Sequence, residues 1–226
     1  MKLKHRYSLM MLSLNEIDGM RAVLPRIPKE LLYEVIVLDG GSTDGSIEYA
    51  KSFGFTVVHQ QEKGLVNGTK EGIAATTGDI VITFTPDNNM IPERIPDLIA
   101  KMEEGYDMVV VSRYLPPAKS QDDHIISGFG NWMFTTMVNV LFKTNYTDVL
   151  GFYRAYRLDL LKELDLEIKL SIDTQLNIRC AKRGKKVGEI PGDEPPRIGG
   201  KSSRSIIWNG LVELHTILDE WWHYSR

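Results

Sequence analysis

Four polar clusters each follow a short apolar run: Asn15-Glu16, Asp39-Gly40-Gly41-Ser42-Thr43-Asp44-Gly45, Thr85-Pro86-Asp87-Asn88-Asn89 and Ser112-Arg113-Tyr114. Residues two apart in extended chain point the same way, so Thr85, Asp87 and Asn89 can present oxygens to one side. Such a hard-oxygen set suits Mg2+ or Mn2+, although one carboxylate needs help from the phosphate oxygens of a ligand. Pro-Asp-Asn-Asn is equally good turn material. The Asp39 cluster sets a carboxylate, paired glycines and a Ser-Thr-Asp helix cap beside a crevice, and a plain strand–turn–helix would use the same residues. Farther on, Arg197-Ile198-Gly199-Gly200-Lys201-Ser202-Ser203-Arg204 combines cations, hydroxyls and glycines. That is the composition of a phosphate clamp, or of a solvated basic loop.

These clusters need a scaffold that brings them to one edge. Apolar and β-branched runs predict strands at Ser8–Leu14, Glu34–Asp39, Thr56–His59, Ile80–Thr85 and Met108–Ser112. Helices are predicted between them at Asp44–Phe53, Val66–Thr76 and Glu93–Glu104, where Pro92 and Ser/Thr/Asp residues supply starts. Alternation of this kind implies an α/β fold with a mostly parallel central sheet flanked by helices. Ligands of such sheets bind beyond the carboxyl ends of the strands, where the four clusters fall. The second half changes character: a helix at Gly128–Phe142, another at Asp173–Arg183, a strand at Lys186–Ile190, a Pro/Gly-rich loop at Pro191–Gly200 and a last helix over about Ser205–Trp222. No repeat or long linker divides the chain, so a single domain with a helical C-terminal part is expected over residues 1–226.

Composition removes several classes. The chain has 226 residues, 42% hydrophobic and 25% charged, with formal net charge −3. Disorder, collagen and coiled coil are excluded, and no positive field argues for nucleic acid. One cysteine, Cys180, permits no internal disulfide and suits a reducing compartment. No Gly-x-Gly-x-x-Gly follows the first strand, which counts against nicotinamide-dependent hydride transfer. No targeting segment is evident. The longest uncharged run, Ile125–Phe142, carries glycines, asparagines and hydroxyls and reads as a buried or interfacial helix rather than a membrane span. In the last helix Ile206, Ile207, Leu211, Leu214, Leu218 and Trp221-Trp222 recur at helical spacing among Glu213, Asp219 and Glu220. Core packing or a dimer contact is the expected use of that stripe, because membrane-interface helices carry more Lys and Arg while this one is acidic; the paired tryptophans keep an interfacial use open.

Further matches extend the series. Asp39 to Gly45 fits Asp-Asp-Gly-Ser-Thr-Asp-Gly with Gly40 in place of the second Asp; Lys63-Gly64 and Gly78-Asp79 follow, then Asp87 through Glu93 and Ser112-Arg113-Tyr114. Asp148 and Arg154 keep the spacing of Asp-x-x-x-Gly-Phe-Arg, and Glu189-Ile190-Pro191 precedes Arg197 through Ser202. In this order, from about Ser8 to Lys201, the motifs resemble glycosyltransferase family 2 with its GT-A nucleotide-sugar fold. They are most similar to the polyprenyl-phosphate, dolichol-phosphate-mannose-synthase-like branch.

The resemblance implies a nucleotide-binding half over about 1–114, an acceptor half over about 115–204 and a C-terminal amphipathic helix over 205–226. It implies an inverting, divalent-metal-assisted transfer from a nucleoside-diphosphate sugar to a polyprenyl phosphate or a saccharide hydroxyl, with Mg2+ or Mn2+ as cofactor. Asp39 would hydrogen-bond the base, with Asn15, Glu16, Gly41 and Lys63 also on the donor side. Asp87 would hold the metal with help from Asn89. Arg113, Arg154, Arg197, Lys201 and Ser202 would meet donor or acceptor phosphates. Asp173, where relatives place an acidic residue, is the expected base for a hydroxyl acceptor, with Asp148 in reserve; either could instead cap a helix or pair with Arg154. Three departures stand out: Thr85 replaces the first metal carboxylate, Asp122-Asp123-His124 stands where the branch has an Arg, and Phe152-Tyr153 replaces Gly-Phe. The first leaves a non-catalytic nucleotide-sugar-binding protein as the alternative. The expected location is cytoplasmic, including the cytoplasmic face of a membrane, with peripheral membrane contact and self-association both open.

Overall fold

Short runs of Val, Ile, Leu and Met flanked by turn residues build the strands, and the amphipathic stretches between them build the covering helices. The structure is a computed structural model and describes residues 3–122, 125–166, 171–199 and 206–223. The strands are β1 (Tyr7–Ser13), β2 (Glu34–Asp39), β3 (Thr56–His59), β4 (Ile80–Phe84), β5 (Met108–Ser112), β6 (Arg154–Arg157) and β7 (Val187–Pro191). The helices are α1 (Ile17–Val23), α2 (Ser46–Ser52), α3 (Leu65–Ala75), α4 (Ile95–Glu103), α5 (Ile125–Phe142), α6 (Leu160–Glu163), α7 (Ile172–Lys182) and α8 (Ile206–His223).

All seven strands share one sheet in the order β3-β2-β1-β4-β6-β5-β7. β1, β2, β3 and β4 pair in parallel, as do β5 and β7, while β6 runs antiparallel between β4 and β5. Register fixes the functional edge: Ser13 stands opposite Asp39, and Met11 opposite Phe84. The loops leaving β1, β2 and β4 therefore emerge side by side.

Alternation along β1 feeds two layers. Leu9 and Met11 pack with Met20 of α1, Ala50 of α2 and Leu98 of α4. Met10 turns to the other face and joins Leu38, Leu160, Leu176 and Cys180. Each fully buried aliphatic side chain contributes about 1.5–3 kcal/mol relative to exposure. Burial also pushes the Cys180 thiol up to about 12, so it packs as a small apolar group. A third cluster, Phe134 and Val138 of α5 with Val149, Ile178 and Ile217, docks α5 and α8 against α7.

Three short elements, α1, β6 and α6, lie where the sequence predicts none, and one expectation changes. The stripe on α8 is not core: Thr216, Ile217 and Glu220 are buried, while Ile207, Trp208, Leu211, Leu218 and Trp222 stay exposed. The acidic residues explain the turn of the helix. The Glu213 carboxylate accepts from Ser171 Oγ and Thr174 Oγ1 at 2.8 and 2.6 Å, and Glu220 accepts from Arg179 Nε at 2.7 Å. Both carboxylates thus face inward onto α7. Among the described residues, no helix is long and apolar enough to cross a membrane.

Candidate functional site

A cavity of about 750 Å3 opens at the carboxyl ends of β1, β2 and β4. Its walls include Asn15, Glu16, Gly41, Lys63, Thr85, Asp87, Asn89, Arg113 and Arg197, so the four polar clusters converge there with Arg197 of the basic loop. Asp39 itself lies one residue behind the wall formed by Leu38, Gly40 and Gly41.

The loops behind β1 and β2 stitch each other. Asn15 takes a left-handed φ of 54°, which Asn tolerates better than most residues. Its backbone N–H donates to Ser42 Oγ at 2.8 Å, and its Oδ1 accepts from Thr43 N at 2.9 Å. Asp44 accepts from Ile17 N at 3.0 Å and so supplies the open end of α1, which has no side-chain cap from its own N-cap residue. The buried Asp39 carboxylate accepts from Gly41 N at 2.9 Å and Ser42 N at 3.1 Å. Gly41, at φ 101°, leaves open space where a Cβ would stand, so a ligand can approach the backbone there.

The loop behind β4 holds the cavity's most constrained carboxylate. Asp87 Oδ1 accepts from Thr85 Oγ1 at 2.8 Å and from Asn89 N at 3.3 Å. Its Oδ2 lies 2.8 Å from Arg197 Nη1, and the other arm of that guanidinium meets Glu16 Oε1. Burial raises the Glu16 carboxyl to about 7; Arg197 opposes the shift, while Asp87 and Asp44 add to it. Among the described residues, the buried Glu16 Oε2 has no hydrogen-bond partner. One guanidinium thus stands between two carboxylates in the cavity.

Arg113 reaches the cavity from the end of β5. Its Nε and Nη2 donate to Asp148 Oδ2 and Oδ1 at 2.7 and 3.0 Å, and Nη1 lies 3.4 Å from Glu194 Oε1. Asp148 is fully buried and spends both oxygens on Arg113, so it stands behind the wall as an anchor rather than facing a substrate as a base. Arg154 is likewise fully buried: its guanidinium donates to the carbonyls of Gly151 and Asp173 and lies 3.4 Å from Asp173 Oδ1. It is placed to hold that turn together, not to touch a phosphate. Asp173 does not line the cavity either. Lys201, Ser202, Asp123 and His124 fall outside the described residues.

Reading the chain alone overlooked Asp193 and Glu194, which line the cavity from the loop after β7. Glu194 also accepts from Ser120 Oγ, tying that loop to the one after β5. The turn sequence Pro-Gly-Asp-Glu-Pro-Pro was the available signal. Among the described residues, no group of three or more His, Cys, Asp or Glu side chains could hold a metal ion. A hard divalent cation on Asp87 would take its other oxygens from a bound ligand, which the donor types around Thr85 and Asn89 fit.

Residues 8–165 match the profile of the family described as Glycosyl transferase family 2. An uncharacterized glycosyltransferase of Mycobacterium tuberculosis is 28% identical over 208 residues, covering 92% of this chain and 93% of that one. The undecaprenyl-phosphate mannosyltransferase of Micrococcus luteus is 27% identical over 220 residues, covering 88% of each chain. Among solved structures, glucosyl-3-phosphoglycerate synthase from Mycobacterium tuberculosis, in complex with Mn2+, UDP-glucose and phosphoglyceric acid, superposes with a TM-score of 0.74. It covers 96% of this chain and 80% of that chain at 21% identity, a likeness of fold.

Proposed function

Since the chain belongs to glycosyl transferase family 2, we propose that it moves a sugar from a nucleoside-diphosphate donor, assisted by Mg2+ or Mn2+, onto a polyprenyl phosphate with inversion at the transferred carbon. The carrying observation is the convergence of Glu16, Asp87, Arg113 and Arg197 around one cavity at the strand ends. Structural neighbours carrying Mn2+ and a UDP-sugar, and relatives named for polyprenyl-phosphate transfer, support the same reading.

Each residue has a share. Asp39, with Asn15 and Gly41, shapes the pocket for the base, and Lys63 flanks the nucleoside. Asp87 is the protein ligand for the cation, with Asn89 beside it. A bound divalent cation would offset the charge that builds on the departing nucleoside diphosphate. Arg113 and Arg197 supply further cationic hydrogen bonds to phosphate oxygens, and Lys201 and Ser202 extend that set. Asp148 positions Arg113.

A phosphate acceptor is already anionic and needs no base, which agrees with Asp148 and Asp173 standing off the cavity wall. A saccharide hydroxyl would require one, and Asp173 would have to leave Arg154 to serve. The lipid tail would approach along the exposed apolar faces of α5 and α8, whose buried sides pack with Val149, next to Leu150 of the cavity wall.

The test is a thermal-shift screen of UDP, GDP and dTDP, with and without Mn2+. At least one should raise the melting temperature, more so with the metal, because a ligand bound by the native state alone stabilises it. Failure of all three removes the reading. Thr85 in place of a carboxylate motivates a second one, a nucleotide-sugar-binding protein without turnover. It wins if nucleotide stabilises the chain but polyprenyl phosphates and saccharides are never glycosylated.

A further inference from the structure

The loop behind β7 lies across the Asp87 loop instead of beside it. Three contacts fasten it independently of Arg197. Ile198 N donates to Asp87 O, Asn88 Nδ2 to Pro196 O and Asn89 Nδ2 to Pro195 O, each at 2.9 Å. Asn88 holds φ at 75°, a left-handed conformation that Asn and Gly adopt most readily. The fastening delivers Arg197 onto Asp87 Oδ2, while Thr85 Oγ1 and Asn89 N occupy Oδ1. Both oxygens of the carboxylate meant for a cation are thus engaged.

We propose that Arg197 is a built-in competitor for the cation on Asp87, fastened there by Asn88 and Asn89, and that a metal-bound nucleoside diphosphate releases it. The proposal rests on the reading of Asp87 as metal ligand. A guanidinium and a divalent ion held at one carboxylate repel each other, so each weakens the other's hold on it. A free cation is a poor opener, because displacing Arg197 would strip Glu16 of its partner and leave the guanidinium unpaired. A pyrophosphate changes that balance: it offers the guanidinium two anionic oxygens in the fork geometry that Arg prefers, while its cation takes over Asp87. Metal and nucleotide therefore enter as one unit, and Arg197 passes from carboxylates to phosphates as they do.

Mn2+ binding to the full chain, read from the electron paramagnetic resonance signal of the free ion, tests this without any turnover. Wild-type protein should bind Mn2+ alone weakly, and more tightly once UDP, GDP or dTDP is present. Arg197→Gln should bind Mn2+ alone about tenfold tighter than wild type, since the competing charge is gone, and Asp87→Ala added to it should erase the gain. Asn88→Gly keeps the left-handed backbone but removes the fastening amide, so it should raise Mn2+ affinity about threefold. Equal affinity in wild type and a folded Arg197→Gln overturns the competition, as does a gain that survives Asp87→Ala. If Arg197→Gln does not fold, Asn88→Gly decides by the same criterion. Absence of nucleotide stabilisation in the thermal-shift screen would instead strike the functional reading, which is scored separately from binding of Mn2+ alone.

Discussion

Glu16 is the residue whose charge the folded chain resists most visibly. Its carboxyl is raised to about 7 by burial, with Asp87 and Asp44 adding to the shift against Arg197. The unfolded chain ionises it near the ordinary carboxylate range. Between those values the native state binds more protons, so the contribution of Glu16 to stability is present at low pH and lost as pH rises toward 7. Glu16→Gln mimics the neutral form. Melting curves should coincide near pH 5, and the variant should be more stable by about 5 °C at pH 8. A parallel pH dependence in both proteins would contradict the burial account. Substitutions at Asp87 and Thr85 test the proposed cation ligand against its hydrogen-bonding neighbour: Asp87→Ala should lower kcat/KM by at least about a hundredfold. Thr85→Ala, which removes one hydrogen bond to Oδ1, should cost about tenfold or less. Steady-state rates at saturating Mn2+ make the comparison. At this scale the sequence was informative about which residues matter and less so about what they touch. Arg154 and Asp148 were expected at a substrate, yet both are buried, Asp148 holding Arg113 and Arg154 holding the Gly151 and Asp173 carbonyls, because type and spacing do not say which way a side chain faces from a strand or turn not yet located.

Elements with strong periodicity were legible, and those whose pairing is decided by distant chain were not. β1, β2, β3, β4 and β5 follow from apolar runs. The strand Arg154-Ala155-Tyr156-Arg157 does not, because two arginines mask the pattern and its place depends on Thr83 and Val110, which pair with Arg154 from β4 and β5 on either side. α1 is short and contains Gly19, which lowers helix propensity, but the glycine is there for packing. A Cβ at Gly19 would lie 2.3 Å from Pro86 O and 3.2 Å from Ile198 O. α1, the Asp87 loop and the loop behind β7 meet at that point, and the obstructing atoms are backbone. Gly19→Ala should therefore destabilise by about 1–3 kcal/mol, roughly 3–10 °C in melting temperature for a chain of this size. Gly72→Ala on α3 meets chiefly the Met10 side chain, which can move, and should cost less. Calorimetry on the pair checks the ranking; the reverse order would mean that α1 docks more loosely than its contacts imply.

For the molecule as a whole, aromatic residues are distributed unevenly. The chain has four tryptophans, Trp132, Trp208, Trp221 and Trp222, and all are exposed on α5 or α8, between 45% and 66%. α5 has no charged residue, and the inward turn of Glu213 and Glu220 leaves Asp219, beside His223, as the one acid on the exposed side of α8. Apolar faces of this kind bind interfaces through tryptophan. Vesicles of zwitterionic lipid should shift the intrinsic fluorescence to the blue, and Trp208→Glu with Trp222→Glu should weaken co-flotation about tenfold or more. Sedimentation as a dimer with no vesicle response would assign the face to a second copy instead. The antiparallel β6 has its own consequence for how the chain is made. On the ribosome β5 emerges long before its partners, since β6 must arrive to join it to β4 and β7 comes later still. Until then an apolar strand has two open edges, the situation in which nascent chains misassociate. Slow synthesis between Ser112 and Arg154 would prolong that exposure, so the yield of native protein should depend on codon choice and chaperone supply across that interval.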